Sequence, residues 1–128
     1  MQIPTDRRYT PSHEYVRLNG TEATIGVTAY AAEQLGDIVF VELPIIGKEL
    51  KKGEGLGVVE SVKAVSDIFS PLSGKVVAIN DKLESEPSLI NDDPFGEGWI
   101  IKMEASNPAE LDQVLTPDKY EELVAASH

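Results

Sequence analysis

The sequence predicts a mainly β chain: a flattened antiparallel β-barrel or sandwich with short peripheral helices and a C-terminal helix. Three observations carry this reading. Short runs rich in β-branched and aromatic residues recur between Gly, Pro and Asn-Gly turns. Strands do not alternate with long helical runs, which argues against a doubly wound parallel sheet. The 128 residues, 41% hydrophobic and 26% charged, suit one domain over 1–128 with a core of its own.

The elements follow in order. Tyr15-Val16-Arg17-Leu18 and Thr21 to Val27 flank Asn19-Gly20, the dipeptide that supplies the positive φ angles of a tight hairpin turn. Ala23, Ile25 and Val27 alternate with Glu22, Thr24 and Gly26, so one face is expected to be buried. Thr28 caps a short helix that Gly36 closes. Ile38 to Leu43 is a strand ended by Pro44. Gly47-Lys48 and Lys51-Lys52-Gly53 are turns. Leu56–Ser61 and Val65–Phe69 are strands around Val62-Lys63-Ala64. Pro71-Leu72-Ser73-Gly74 turns into a strand over Lys75–Ile79. Gly57-Val58-Val59 and Gly74-Lys75-Val76-Val77 hint at a short quasi-repeat. Residues 84–88 and 91–96 carry loop chemistry. Gly98 to Glu104 is a last strand with Trp99, Ile101 and Met103 on one face. Asn107-Pro108 and Thr116-Pro117 start two helices, the first with a capping box to Glu110. The second, over about 117–126, places Tyr120, Leu123 and Val124 on one side.

Charge and cysteine content narrow the function. Eleven basic residues against 22 acidic give a net charge of −11. Residues 1–78 hold 8 basic and 10 acidic residues; residues 79–128 hold 3 and 12. Such a surface repels phosphate backbones and anionic membranes, so neither nucleic acid nor membrane is an expected partner. With no cysteine, thiol nucleophiles, zinc ribbons and protein-borne dithiol chemistry are excluded. The start has no apolar signal core and no run approaches a membrane span, so a soluble, cytoplasmic, monomeric chain is expected.

Lys63 stands out because it sits between two apolar strands, flanked by Val62 and Ala64. A solvated turn lysine is the ordinary case. The alternative is a hairpin tip that presents one amine to a modifying enzyme, as a group carrier needs. Other motifs are weaker. Gly53-Glu54-Gly55-Leu56-Gly57 lacks the helix of a phosphate loop. His13 and His128 are too few for a histidine metal site, and Asn91-Asp92-Asp93 lacks a calcium-loop pattern. Ser12, His13 and Asp67 make a hydrolase triad only on paper. Glu14 and Asp67 each lie among apolar strand residues, where an exposed strand carboxylate is the plain reading.

Glu60-Ser61-Val62-Lys63-Ala64, with Ser66-Asp67-Ile68 and Ser70-Pro71, closely resembles the lipoyl-lysine site of the glycine cleavage system H-protein family. So do Ser12-His13-Glu14-Tyr15-Val16, Gly26-Val27-Thr28, Leu35 through Pro44, Leu89-Ile90-Asn91 and Gly96-Glu97-Gly98-Trp99, in that family's order and over roughly residues 9–125. Tyr15 stands where the family often has Trp. The resemblance implies a lipoyl-biotinyl carrier fold and a carrier rather than an enzyme. It implies lipoate in amide linkage on Lys63. It implies loading with an aminomethyl group by glycine decarboxylase (P protein) and unloading by an aminomethyltransferase (T protein). Reoxidation would fall to dihydrolipoamide dehydrogenase (L protein), and attachment to a lipoylating enzyme. A labile, cationic aminomethyl group needs a sheltered cleft with acceptors. Ser12, Glu14 and Asp67 occupy family positions suited to that task, and Glu60 is placed to help the lipoylating enzyme recognise the tip.

Other readings leave different marks. Lipoyl domains of 2-oxo acid dehydrogenases usually show Asp-Lys and an Ala/Pro-rich linker; here Val62 precedes Lys63 and the chain ends Ala125-Ala126-Ser127-His128. Biotin carriers flank their lysine with Met. An acidic interaction module would leave Lys63 bare, and an H-like protein could also relay lipoyl groups to other enzymes.

Overall fold

The computed structural model describes residues 3–126; Met1, Gln2, Ser127 and His128, one of the two histidines considered above, lie outside the described residues. The expected sandwich is present as two antiparallel sheets. The larger contains β1 (Arg8–Tyr9), β2 (Glu14–Asn19), β3 (Glu22–Val27), β5 (Glu49–Leu50), β8 (Gly74–Ile79) and β9 (Ile101–Ala105). Its strand order is β1-β2-β3-β9-β8-β5. The smaller contains β4 (Ile38–Glu42), β6 (Gly55–Ser61) and β7 (Val65–Phe69), in the order β4-β6-β7.

The Asn-Gly hairpin forms as read. Asn19 pairs with Glu22, and Gly20 takes a φ of +66°, which costs a residue without Cβ little. Ala23, Ile25 and Val27 turn inward. There Ile25, Val76, Ile101 and Met103 of the large sheet share one cluster with Val41, Leu56, Val59 and Ile68 of the small one. Burying each larger side chain contributes roughly 1.5–3 kcal/mol. α1 (Ala29–Leu35) begins at Thr28, whose hydroxyl accepts from Ala31 N, and ends at Gly36. α4 (Pro117–Ala126) docks through Tyr120 and Val124 onto Tyr9, Tyr15 and Tyr30; the Tyr9 and Tyr120 rings stack at 4.6 Å.

Local departures have local causes. The last strand starts at Ile101 rather than Gly98, because the Asn80 amide donates to the carbonyls of Glu97 and Trp99, both at 2.7 Å, and holds that stretch off the ladder. Trp99 is half-buried, with Lys102 Nζ 5.2 Å from its ring. The expected loops contain one-turn helices, α2 (Lys82–Ser85) and α3 (Leu89–Asp92), anchored by buried Leu83 and Ile90. One turn is too short to leave a periodic signature. The capping box at Asn107 does not form. Pro108–Gln113 is a 3₁₀ helix without a side-chain cap, and Glu110 instead accepts from Ser73 N at 2.8 Å and Ser73 Oγ at 3.0 Å. The two-residue strands β1 and β5 carry no pattern long enough to read.

Candidate functional site

Lys63 lies in the turn between β6 and β7 and is exposed, as are Val62 and Ala64. Ser61 orders this turn. Its Oγ accepts from Ala64 N at 3.0 Å and Lys63 N at 3.3 Å, while Ser61 N donates to Ala64 O at 2.8 Å. Val62 N donates to Asp37 O, tying the tip to the start of β4. The lysine stem runs beside the end of α1, where a Cβ on Gly36 would stand 3.6 Å from Lys63 Cε. Asn91 secures that corner from α3: its Nδ2 donates to Gly36 O at 2.8 Å and its Oδ1 accepts from Ile38 N at 2.9 Å. Asn91 thus has a structural task where a calcium loop had been weighed. Glu60 is half-buried on the central strand, opposite Phe40 on one side and Val65 on the other, both exposed.

Glu14 is only 2% exposed although it carries a carboxylate. Its Oε1 accepts from Thr10 Oγ1 at 2.5 Å and Ser12 Oγ at 2.6 Å; its Oε2 accepts from Phe69 N at 3.3 Å. Among the described residues no Lys, Arg or His nitrogen lies within 4.0 Å of it. Burying an anion without a counter-ion is expensive, and hydrogen-bond donors are what make it tolerable. Glu14 borders a cleft of about 180 Å³ whose walls include Pro11, Phe69, Pro71 and Val114, with Lys52 as its one cationic side chain.

Ser12 and Glu14 are brought together at this cleft. Asp67 is not in that cleft. It is exposed on β7 opposite Val58, beside a separate groove lined by Glu42 and Lys48. By strand alternation Asp67 shares its face with Val65 and Phe69. β7 therefore leads from the Lys63 turn to the Glu14 cleft, ~13 Å from Val65 to Phe69, with Asp67 midway. The paper triad does not assemble: His13 Nδ1 is 2.8 Å from the Tyr120 hydroxyl, which is also 2.8 Å from Thr28 Oγ1. The Gly53–Gly57 segment is a turn into β6, as read.

Thr10 and the Phe69 amide were missed by residue-type reasoning. The only signal for Thr10 is two hydroxyls spaced two and four residues before a carboxylate, and only the turn geometry gives that spacing meaning. A larger groove of about 580 Å³ lies along β5, β8 and β9. Its charged residues, Glu49, Lys51, Glu54, Lys75 and Glu104, are all exposed, so nothing there resembles the buried charge at Glu14. Among the described residues no group of His, Asp and Glu is placed to hold a metal, and no helix is long and apolar enough to cross a membrane.

Comparison with known proteins gives concordant results. A family model described as glycine cleavage H-protein matches residues 7–127. A glycine cleavage system H protein of Symbiobacterium thermophilum is 57% identical over 119 residues, covering 93% of each chain. One from Thermotoga maritima is 51% identical, covering 93% of this chain and 96% of its own. The crystal structure of a glycine cleavage system H protein from Mycobacterium marinum superposes with a TM-score of 0.89 at 36% identity, covering 96% of this chain and 99% of the other.

Proposed function

This chain belongs to the glycine cleavage H-protein family, and from that premise we propose that Lys63 bears lipoate and that the Glu14 cleft shelters the aminomethyl group it carries. The chain is a component of the glycine cleavage system and acts there as a shuttle rather than a catalyst. Its partners are glycine decarboxylase, the aminomethyltransferase, dihydrolipoamide dehydrogenase and the lipoylating enzyme. When bound, lipoate supplies a disulfide that takes up the aminomethyl group and two electrons left as glycine loses CO₂.

The residues of this chain do the rest. The Ser61-ordered turn offers the Lys63 amine clear of the sheets, and Gly36 leaves room for the stem to lie down. Glu60 sits between Phe40 and Val65 just behind the tip, where a lipoylating enzyme would grip. β7 offers a path lined by Val65, Asp67 and Phe69. At its end the buried Glu14 carboxyl group receives three donors and, among the described residues, has no basic nitrogen within 4.0 Å, and that single observation carries the reading. The ammonium of the aminomethyl group is the missing counter-ion, and apolar walls keep water from the labile carbon. Ser12 contributes through Glu14, to which its hydroxyl is committed.

Peptide mass spectrometry of the native protein across the Lys63 segment tests the carrier assignment. A lipoyl or octanoyl adduct on Lys63 is expected. A bare lysine recovered from a host with active lipoylation would overturn it, and a biotinyl adduct would move the chain to carboxylation chemistry.

A further inference from the structure

We infer that Thr10 is a positioning residue for aminomethyl binding, its hydroxyl fixing the Glu14 carboxylate so that Oε2 stays open to an incoming cation. The inference rests on Glu14 being the acceptor proposed above. Thr10 and Glu14 close one turn: Thr10 N donates to Glu14 O at 2.9 Å, and His13 N donates to Thr10 O at 3.0 Å. The Thr10 hydroxyl meets Glu14 twice and also lies 3.2 Å from Ser12 Oγ. It accepts from Glu14 N at 3.0 Å and donates to Glu14 Oε1 at 2.5 Å, folding the carboxylate back over its own backbone. Ser12 donates to the same oxygen. Both hydroxyls are therefore spent on Oε1. Oε2 receives only the longer bond from Phe69 N, and a carboxylate oxygen has room for a second.

Thr10 is the better sheltered of the two hydroxyls, half-buried where Ser12 is exposed. The charged surroundings are few. Among the described residues, Glu14 is the only carboxylate bordering the cleft and Lys52 the only cation. His13 lies on the same turn, and Tyr120 approaches from α4. A carboxylate that loses this donor is free to turn, and its second oxygen is no longer held ready for an ammonium group.

The test uses the full chain in two forms. In the unmodified protein, the amide resonance of Phe69 is recorded at one neutral pH, since that N–H donates to Glu14. Thr10→Ser is expected to reproduce the native chemical shift and Thr10→Val to displace it. In the lipoylated, loaded protein, Thr10→Val is expected to release the aminomethyl group about tenfold faster, the effect of one hydrogen bond to a charged group. Thr10→Ser is expected to release it at the native rate. An unmoved Phe69 resonance in folded Thr10→Val, or a Thr10→Ser as impaired as Thr10→Val, would overturn the inference. Thr10→Ala replaces Thr10→Val if the latter fails to fold. If the resonance moves but neither Thr10→Val nor Glu14→Gln alters release, Glu14 is not the acceptor and the cleft reading fails, although Thr10 still holds the carboxylate.

Discussion

His13 shows how one residue ties the cleft to the rest of the molecule. It adopts a φ of +71°, a conformation uncommon for a residue with a side chain, and this turn delivers Ser12 and Glu14 to one side. Its ring lies 4.7 Å from that of Tyr30, and its Nδ1 meets the Tyr120 hydroxyl. Burial lowers its pKa below the ordinary 6.5, with the neighbouring Glu14 charge opposing. The unfolded chain therefore binds a proton that the folded chain resists, so stability is full above pH 6.5 and falls as pH drops below it. Burial acts the other way on the phenols. It raises Tyr9 and Tyr15 and pushes Tyr120 up to about 12, so above pH 10 the unfolded state sheds protons first and stability falls again. Urea unfolding across pH is expected to show both flanks, and His13→Gln to flatten the acid one; an unchanged acid flank would assign it to other groups. Glu14 and Ser12 stand out in the sequence because residue type and family position coincide. Thr10 does not, because its contacts with Glu14 exist only once the chain turns back on itself.

At the scale of elements, the β6–β7 turn is the part whose order matters most. The exposed Ser61 bonds are shared with water, so Ser61→Ala is expected to change global stability by no more than about 0.5 kcal/mol. The same change loosens the turn by about 1 kcal/mol and is expected to slow lipoylation roughly fivefold. Unfolding curves and a mass-spectrometric time course check the pair of values, and an undiminished rate would show that the enzyme imposes the turn itself. The elements that were legible are those whose signal is local and strong. Asn19-Gly20 fixes a hairpin, and Thr28 with Gly36 brackets a helix. Those that were not depend on distant partners. Glu110 abandons Asn107 for Ser73, and Asn80 pulls Glu97 and Trp99 away from β9. The quasi-repeat has a physical counterpart: a Cβ on Gly57 would stand 2.3 Å from Glu42 O, and one on Gly74 2.3 Å from Glu104 O. Each glycine lets its strand approach a neighbour's carbonyl, one in each sheet.

The charge of the whole molecule is concentrated in its second half. Every Asp and Glu from Asp81 to Glu122 is exposed except half-buried Glu110. The three lysines there form only exposed pairs or near pairs, to Glu97, Glu22 and Glu122. Such contacts offset little of the surrounding field. A field of this kind speeds encounter with basic docking surfaces and is screened beyond ~10 Å at 0.1 M salt. Turnover of the reconstituted glycine cleavage system is expected to slow as ionic strength rises, with the effect on apparent affinity for this chain. A rate independent of salt would remove the acidic half from docking. This acidity was visible in the composition alone, whereas the way the sheets are laced together was not.

The order β1-β2-β3-β9-β8-β5 sets a timetable for synthesis. The Lys63 turn is complete in the nascent chain once Phe69 has been added, but the large sheet still lacks its middle. Only when Ala105 has left the ribosome can β9 slot between β3 and β8, and only later does α4 arrive to lock Tyr120 onto the His13 turn. A growing chain therefore holds two unclosed half-sheets with bare strand edges, a state open to mispairing. The large sheet is complete only with both of its halves, and the last ten described residues complete the support of a cleft begun by the first twelve.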